Sequence, residues 1–232
     1  MFLTIESEMA TAKSESVFEA AVVLPGKGER TAQRIRAVAL DQFSRLGFER
    51  VTMADIAAAV GVSQPTLHYH FIDKLQLWQT AMRDLSAVIV EEERMLDAAR
   101  DVSPLERIRL AMRFFIGLSW RHPALARIVM LEGMAGGERL EWLDRHVLRR
   151  RNHWLVRLVN EAIAAGTLRH FPPEQIVITL QTAAVGVICL APLLQTSFGI
   201  DPETPAARAA HEEMIIDALL GGLEIKPPTV TN

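Results

Sequence analysis

Residues 64–70, QPTLHYH, bring Gln64, Thr66, His68, Tyr69 and His70 together in one short stretch. An amide, a hydroxyl, a phenol and two imidazoles suit phosphate oxygens and base edges. A glutamine can read adenine, and a threonine methyl can touch thymine. Other constellations are incomplete. His146 and His153 share a helical face but stand about two turns apart, too far for one metal without further ligands. His211-Glu212 opens like a zinc-protease motif, yet Ile215 stands where the second histidine belongs. The single cysteine, Cys189, lies in an apolar run, reads as a small hydrophobe, and excludes an intramolecular disulfide. No glycine-rich phosphate loop is present. The expectation is no catalytic residue, no metal, no cofactor and no enzymatic activity.

The elements that position residues 64–70 follow from spacing. Ile35, Val38, Ala39, Phe43 and Leu46 form the apolar stripe of an amphipathic helix, with Gly47 at its stop. Thr52 and Asp55 form a capping box that opens a helix over 53–60, and Gly61 ends it. Ser63 caps the next helix, with Pro65 tolerated in its first turn. Asp73 caps a fourth helix, from Lys74 to about Ala99. Two short helices joined by a glycine turn make a helix-turn-helix, whose second helix can enter a major groove. Ile56, Val60, Val62 and Leu67 would supply its small core. Breaks at Pro104, Pro123, Gly136-Gly137, Gly166, Pro172-Pro173 and Pro202 predict further helices near 104–121, 123–135, 138–165, 173–195 and 204–222. No alternating run supports a strand, so the fold class is all-α.

From about Thr31 to Trp78 the chain resembles the TetR family of bacterial transcriptional regulators. The resemblance is carried by GFERVTMADIAAAVGVSQPTLHYHF and DKLQL: a capping threonine, the GVS turn, the aromatic-rich recognition helix and the lysine opening helix four. The family often has glycine near Pro65, and tyrosine is more usual at His68 and His70. The resemblance implies an N-terminal three-helix helix-turn-helix DNA-binding domain followed by a larger helical ligand-binding and dimerisation domain. It places Thr52, Thr66, His70 and Lys74 at phosphate-contacting positions, Gln64, Pro65 and Tyr69 at base-facing positions, and Ser63 at the recognition-helix N-cap. His68 fits DNA contact or packing about equally, whereas Phe71 reads as packing.

The expected divisions are a mobile arm over 1–30 with a short helical stretch at 17–23, the DNA-binding domain over 31–78, an effector and dimerisation domain over 79–223, and a tail over 224–232. Met112, Phe115, Trp120, Met130, Met134, Trp142 and Trp154 are expected to line a mostly apolar effector pocket, because methionine adapts to irregular shapes and aromatic walls suit apolar ligands. His122, His146, His153 and Arg113 are candidate polar contacts. Ile176, Leu180, Ala183, Ala184, Val187, Ala191, Met214 and Ala218 are expected at a homodimer interface, whose two-fold axis would match a palindromic operator.

Charge and hydropathy set bounds on these readings. The chain of 232 residues carries a formal charge of −3, which argues against a uniformly basic surface. Between Pro25 and Thr80, however, seven basic and five acidic residues leave +2, and the rest is −5. From Gln175 to Ile200, 26 residues carry no charge. About 20 apolar residues suffice to span a bilayer, but Thr179, Gln181, Thr182 and Pro192 interrupt the run and basic or aromatic anchors are missing from its flanks. A helix buried between protein surfaces is the favoured reading. The start lacks a basic segment followed by a long apolar one, so no secretory signal is expected and the expected location is cytoplasmic. The partners implied are double-stranded operator DNA, a second copy of the chain and a small-molecule effector, with no membrane. The competing reading is a helical interaction or membrane-associated module without DNA specificity.

Overall fold

The computed structural model describes residues 26–93 and 102–225. These form helices α1 (Lys27–Leu46), α2 (Met53–Val60), α3 (Gln64–His70), α4 (Lys74–Glu93), α5 (Pro104–Arg121), α6 (Pro123–Ala135) and α7 (Glu138–Leu143). A wide π-type turn, Asp144–Leu148, leads into α8 (Arg149–Ala164). Then follow α9 (Pro173–Cys189), α10 (Ala191–Phe198), α11 (Pro205–Glu213), a second wide turn (Met214–Leu220) and the short α12 (Gly221–Leu223). Apart from one bridge between Leu168 and Glu224, no strand pairing occurs among the described residues. The all-α expectation holds. The helical stretch expected at 17–23, the end of the helix expected to reach Ala99, and the tail beyond Ile225 lie outside the described residues.

Four boundaries differ from those read in the sequence. Helix α1 begins at Lys27 rather than after Arg30. The helix expected over 138–165 is divided by the wide turn at Asp144–Leu148. The helix expected over 173–195 ends at Cys189, and Leu190 leaves the helical region with φ −103° and ψ 18°. Pro192 supplies the cause: it lacks an N–H, and its ring would strike the carbonyl four residues back. The uncharged run is thereby split into two helices bent by 65°, and no single described helix is long and apolar enough to cross a membrane. The fourth concerns the helix expected near 204–222, which is capped by Thr204 and widens into a π turn after Glu213.

Two cores position the functional elements. In the DNA-reading part, Phe43, Ile56, Leu67, Leu77 and Trp78 are each essentially fully buried. In the larger part, α5, α8, α9 and the second wide turn pack around Ile108, Ile116, Leu158, Leu180, Ala184, Ile215 and Leu220. Each of the leucines and isoleucines contributes about 1.5–3 kcal/mol relative to exposure.

Candidate nucleic-acid interface and effector cavity

Helix α3 is held by its two ends and one buried side chain. The Ser63 hydroxyl accepts from the Thr66 amide at 3.2 Å, and Phe71 closes the other end by donating its amide to the Leu67 carbonyl at 2.9 Å. Leu67 alone on this helix is buried. Before it, Gly61 takes φ 75°, a left-handed conformation that glycine adopts without steric cost. The Val62 amide then reaches the Ala57 carbonyl at 3.0 Å and the Gly61 amide the Ala58 carbonyl at 3.1 Å, a Schellman closure. The result is a helix that turns Gln64, Pro65, Thr66, His68 and Tyr69 outward.

The exposed face is uneven in what it offers. Tyr69 is 85% exposed, with its ring edge-on to His70 at 5.2 Å. A large aromatic side chain left in solvent at this place has no packing role. Phe71 is buried, as expected of a packing residue. His68 is exposed, with Nδ1 3.3 Å from the Ile72 carbonyl oxygen. His70 is half-buried. The Thr66 hydroxyl lies 2.8 Å from that of Ser63.

Two of the expected phosphate contacts are already engaged by protein. Thr52 donates its hydroxyl to Asp55 Oδ2 at 2.6 Å and its amide to the same oxygen at 3.1 Å, while its Oγ1 accepts from the Asp55 amide at 3.1 Å. These bonds hold the Asp55 carboxyl below its usual range, the side-chain hydroxyl being the larger cause and the Thr52 amide the next. With the capping box closed, the exposed Thr52 hydroxyl would have to turn from Asp55 to donate to a phosphate. Lys74 is half-buried, donates to the Phe48 carbonyl at 3.0 Å and sits 4.3 Å from the centre of the Phe48 ring. An ammonium has three donors, so this contact orients Lys74 without exhausting it.

A cavity of about 510 Å³ opens between α5, α6, α7, the first wide turn, α8 and α9. Its walls are mostly apolar, among them Phe115, Leu118, Leu125, Val129, Met130 and Val185. Polar groups are few: Ser119, His122, Asp144, Arg151, Asn152, Gln181 and Thr182. Gln181 donates to Asn152 Oδ1 at 3.2 Å, and the Arg151 guanidinium lies 5.3 Å from the Phe115 ring centre. This size and lining match sites for small organic ligands.

Of the seven residues expected to line such a pocket, Phe115, Met130 and Met134 do so, as does His122. The other four are elsewhere. Met112 is buried in the core of the larger part. Trp120 lies under the Arg208 guanidinium at 4.6 Å, and Trp154 packs against the core. Trp142 is edge-on to Trp78 at 5.3 Å and stacked on His146 at 4.4 Å. Arg113 pairs with Glu212 at 3.6 Å, and His153 is exposed. The sequence reading missed Ser119, Asn152 and Gln181. Their signal was a polar residue on an otherwise apolar helical stripe.

The expected interface residues also divide. Ile176, Leu180 and Ala184 are buried in the chain's own core, packed with α5 and α8, so they offer nothing to a second subunit. Ala183, Val187 and Ala191 are half-buried, and Met214 and Ala218 are exposed. Exposed apolar side chains continue along α10 and beyond, at Leu190, Leu193, Phe198 and Ile200. Among the described residues, no group of three or more His, Cys, Asp or Glu side chains is arranged to hold a metal ion.

Comparison with known proteins agrees with this geometry. Residues 35–81 match the family model for bacterial regulatory proteins of the tetR family, and residues 104–219 match a tetracyclin repressor-like C-terminal domain. Nucleoid occlusion factor SlmA of Vibrio campbellii is 34% identical over 104 residues, 44% of this chain and 52% of its own length. The SlmA protein of Citrobacter koseri is 31% identical over the same length. The chain thus spans about half the length of the curated relatives it matches. The solved ketosteroid transcriptional regulator KstR2 of Mycobacterium tuberculosis shares the fold with a TM-score of 0.67 at 17% identity, over 84% of this chain and 95% of that one. A putative fatty acid metabolism regulator of Clostridium perfringens gives 0.63 at 20% identity, over 83% and 100%. A family of DNA-binding regulators, and not of enzymes, is the shared context of helix-turn-helix and cavity, and the chain belongs to the tetR family of bacterial regulatory proteins.

Proposed function

We propose that this regulator acts in the cytoplasm as a homodimeric repressor, released from a palindromic operator by a small, mostly apolar effector. The cavity of about 510 Å³ carries the reading: its apolar walls and few polar groups fit an organic ligand that needs little charge. The divisions 31–78 for DNA binding and 79–223 for effector and dimer remain our assignment. Gln64, Pro65 and Tyr69 read bases in it; Thr66, His70 and Lys74 meet phosphates, and Ser63 holds the helix that carries them. His68 borders this face. Dimerisation uses Ala183, Val187, Ala191, Met214 and Ala218 together with the exposed apolar residues of α10. The ligand acts by population shift, favouring the arrangement of the two subunits that fits the operator less well.

The test begins with duplexes selected by the protein from random DNA. Apolar and aromatic compounds are then screened for a rise in melting temperature and for release of the selected duplex. Tyr69→Ala serves as the control for the DNA face and abolishes sequence preference. Compounds that stabilise the protein but leave the duplex bound would contradict release by effector. The relatives' name supplies a second reading, in which DNA binding serves nucleoid occlusion. Genome-wide binding separates the two: one or a few promoter sites support local repression, whereas many sites spread over the chromosome support the alternative.

A further inference from the structure

Helix α7 is loaded on two sides. Leu140, and Asp144 and Leu148 in the turn after it, form part of the cavity wall. Its neighbouring residues Arg139 and Trp142 instead grip the DNA-reading part. Arg139 donates Nε to both carboxylate oxygens of Glu132 on α6, at 3.0 Å each, and Nη1 to Glu49 at 2.9 Å. The guanidinium lies 4.3 Å from the Phe48 ring centre, the same ring that holds the Lys74 ammonium. Trp142 abuts Trp78 of α4.

The two ion pairs differ in how easily they open. Glu132 is 4% exposed, and a buried carboxylate cannot be separated from its cation without leaving an uncompensated charge. The Glu49 side chain is 76% exposed, so water can replace its partner. Burial alone would disfavour the Arg139 cation, but the hydrogen bonds and charges of Glu132 and Glu49 outweigh it. Arg139 therefore travels with α6 and holds Glu49 reversibly. Each link also adjoins the cavity in sequence: Gly133, next to Glu132, and Leu140, next to Arg139, are both wall residues.

We propose that Arg139 is the positioning residue through which occupancy of the cavity reaches the DNA-reading part, by way of Glu132, Arg139 and Glu49. An occupant that moves α6 against α7 displaces Arg139, opens its contact with Glu49 and disturbs Phe48. Phe48 in turn orients Lys74, and residues 48–51 lead directly to the Thr52 cap. The proposal rests on the effector reading given above.

It can be tested before any effector is known, because Gly133 accepts a side chain. A Cβ there meets nothing within 4 Å, and its φ is not positive, so Gly133→Phe adds a ring at the exposed edge of the cavity wall, next to Glu132. Gly133→Ala is the control that adds no ring. Affinity for a duplex selected by the wild-type protein is measured for Gly133→Phe, Glu49→Ala and the double variant, each checked for an unchanged helical spectrum. Gly133→Phe is expected to weaken binding by about tenfold in the native background and by less than about threefold where Glu49 is alanine. Equal weakening in both backgrounds overturns the relay, as does a Gly133→Phe protein that binds like Gly133→Ala. If screened compounds release DNA while the cycle proves additive, only the relay fails. If no compound binds and Gly133→Phe is silent, the effector reading fails with it.

Discussion

Asp55 shows how one carboxylate links local structure to solution conditions. It accepts two hydrogen bonds from Thr52, and both favour its charged form. Its pKa in the folded protein therefore lies below that of an ordinary aspartate. A depressed acid pKa stabilises the fold above the unfolded value, and the contribution is lost as pH falls through the folded value. The stability difference between wild type and Asp55→Asn should thus stay constant from about pH 7 to about pH 5 and close only in more acid solution. Thermal melts across that range measure it; a gap that already narrows between neutrality and about pH 5 would assign the effect to another group. Thr52→Ala removes the cap from the other side and should cost about 1 kcal/mol. The capping box was legible in the sequence because it depends on two residues three apart. The engagement of Lys74 with Phe48 was not, since it joins positions 26 apart.

Among the elements, α9 and the second wide turn carry different burdens despite similar apolar patterns. One face of α9 supports the core through Ile176, Leu180 and Ala184, while Met214, 53% exposed, begins a turn whose other side is buried by Ile215 and Ile216. Leu180→Ala should therefore lower stability by about 2–5 kcal/mol while leaving subunit association intact. Met214→Glu should do the reverse, shifting sedimentation toward a single chain with little change in the melt of that chain. An unchanged dimer in Met214→Glu at low concentration would remove this surface from the interface. Periodicity identified both segments as helical and apolar, and it marked the helix ends at Gly61, Pro104 and Pro123. It could not say which apolar residues face a cavity, a core or a partner, because those depend on what packs opposite. Trp142 illustrates the point: its type suited a ligand wall, but Trp78 and His146 occupy its two sides. The wide turn at Asp144–Leu148 escaped notice for a related reason, having no proline or glycine to mark it.

For the whole molecule, the distribution of charge decides behaviour that the total obscures. The chain is −3, yet residues 25–80 are +2 and the remainder −5. Phosphate neutralisation releases condensed counterions in proportion to the contacts made, independently of charge carried elsewhere on the protein. In the proposed dimer Thr66, His70 and Lys74 would each occur twice. With about six to ten phosphates contacted, operator affinity should fall by about 10³–10⁵ between about 50 and 200 mM salt. A duplex whose base edges α3 does not fit lacks the base contacts and holds the phosphate contacts less well. A scrambled duplex should thus bind more weakly at every salt concentration, with a slope no steeper than that of the selected one. Fluorescence anisotropy titrations on both duplexes provide the slopes. A selected duplex whose affinity barely changes over this range would mean that few phosphates are engaged, and the assignment of Thr66, His70 and Lys74 to the backbone would have to be withdrawn.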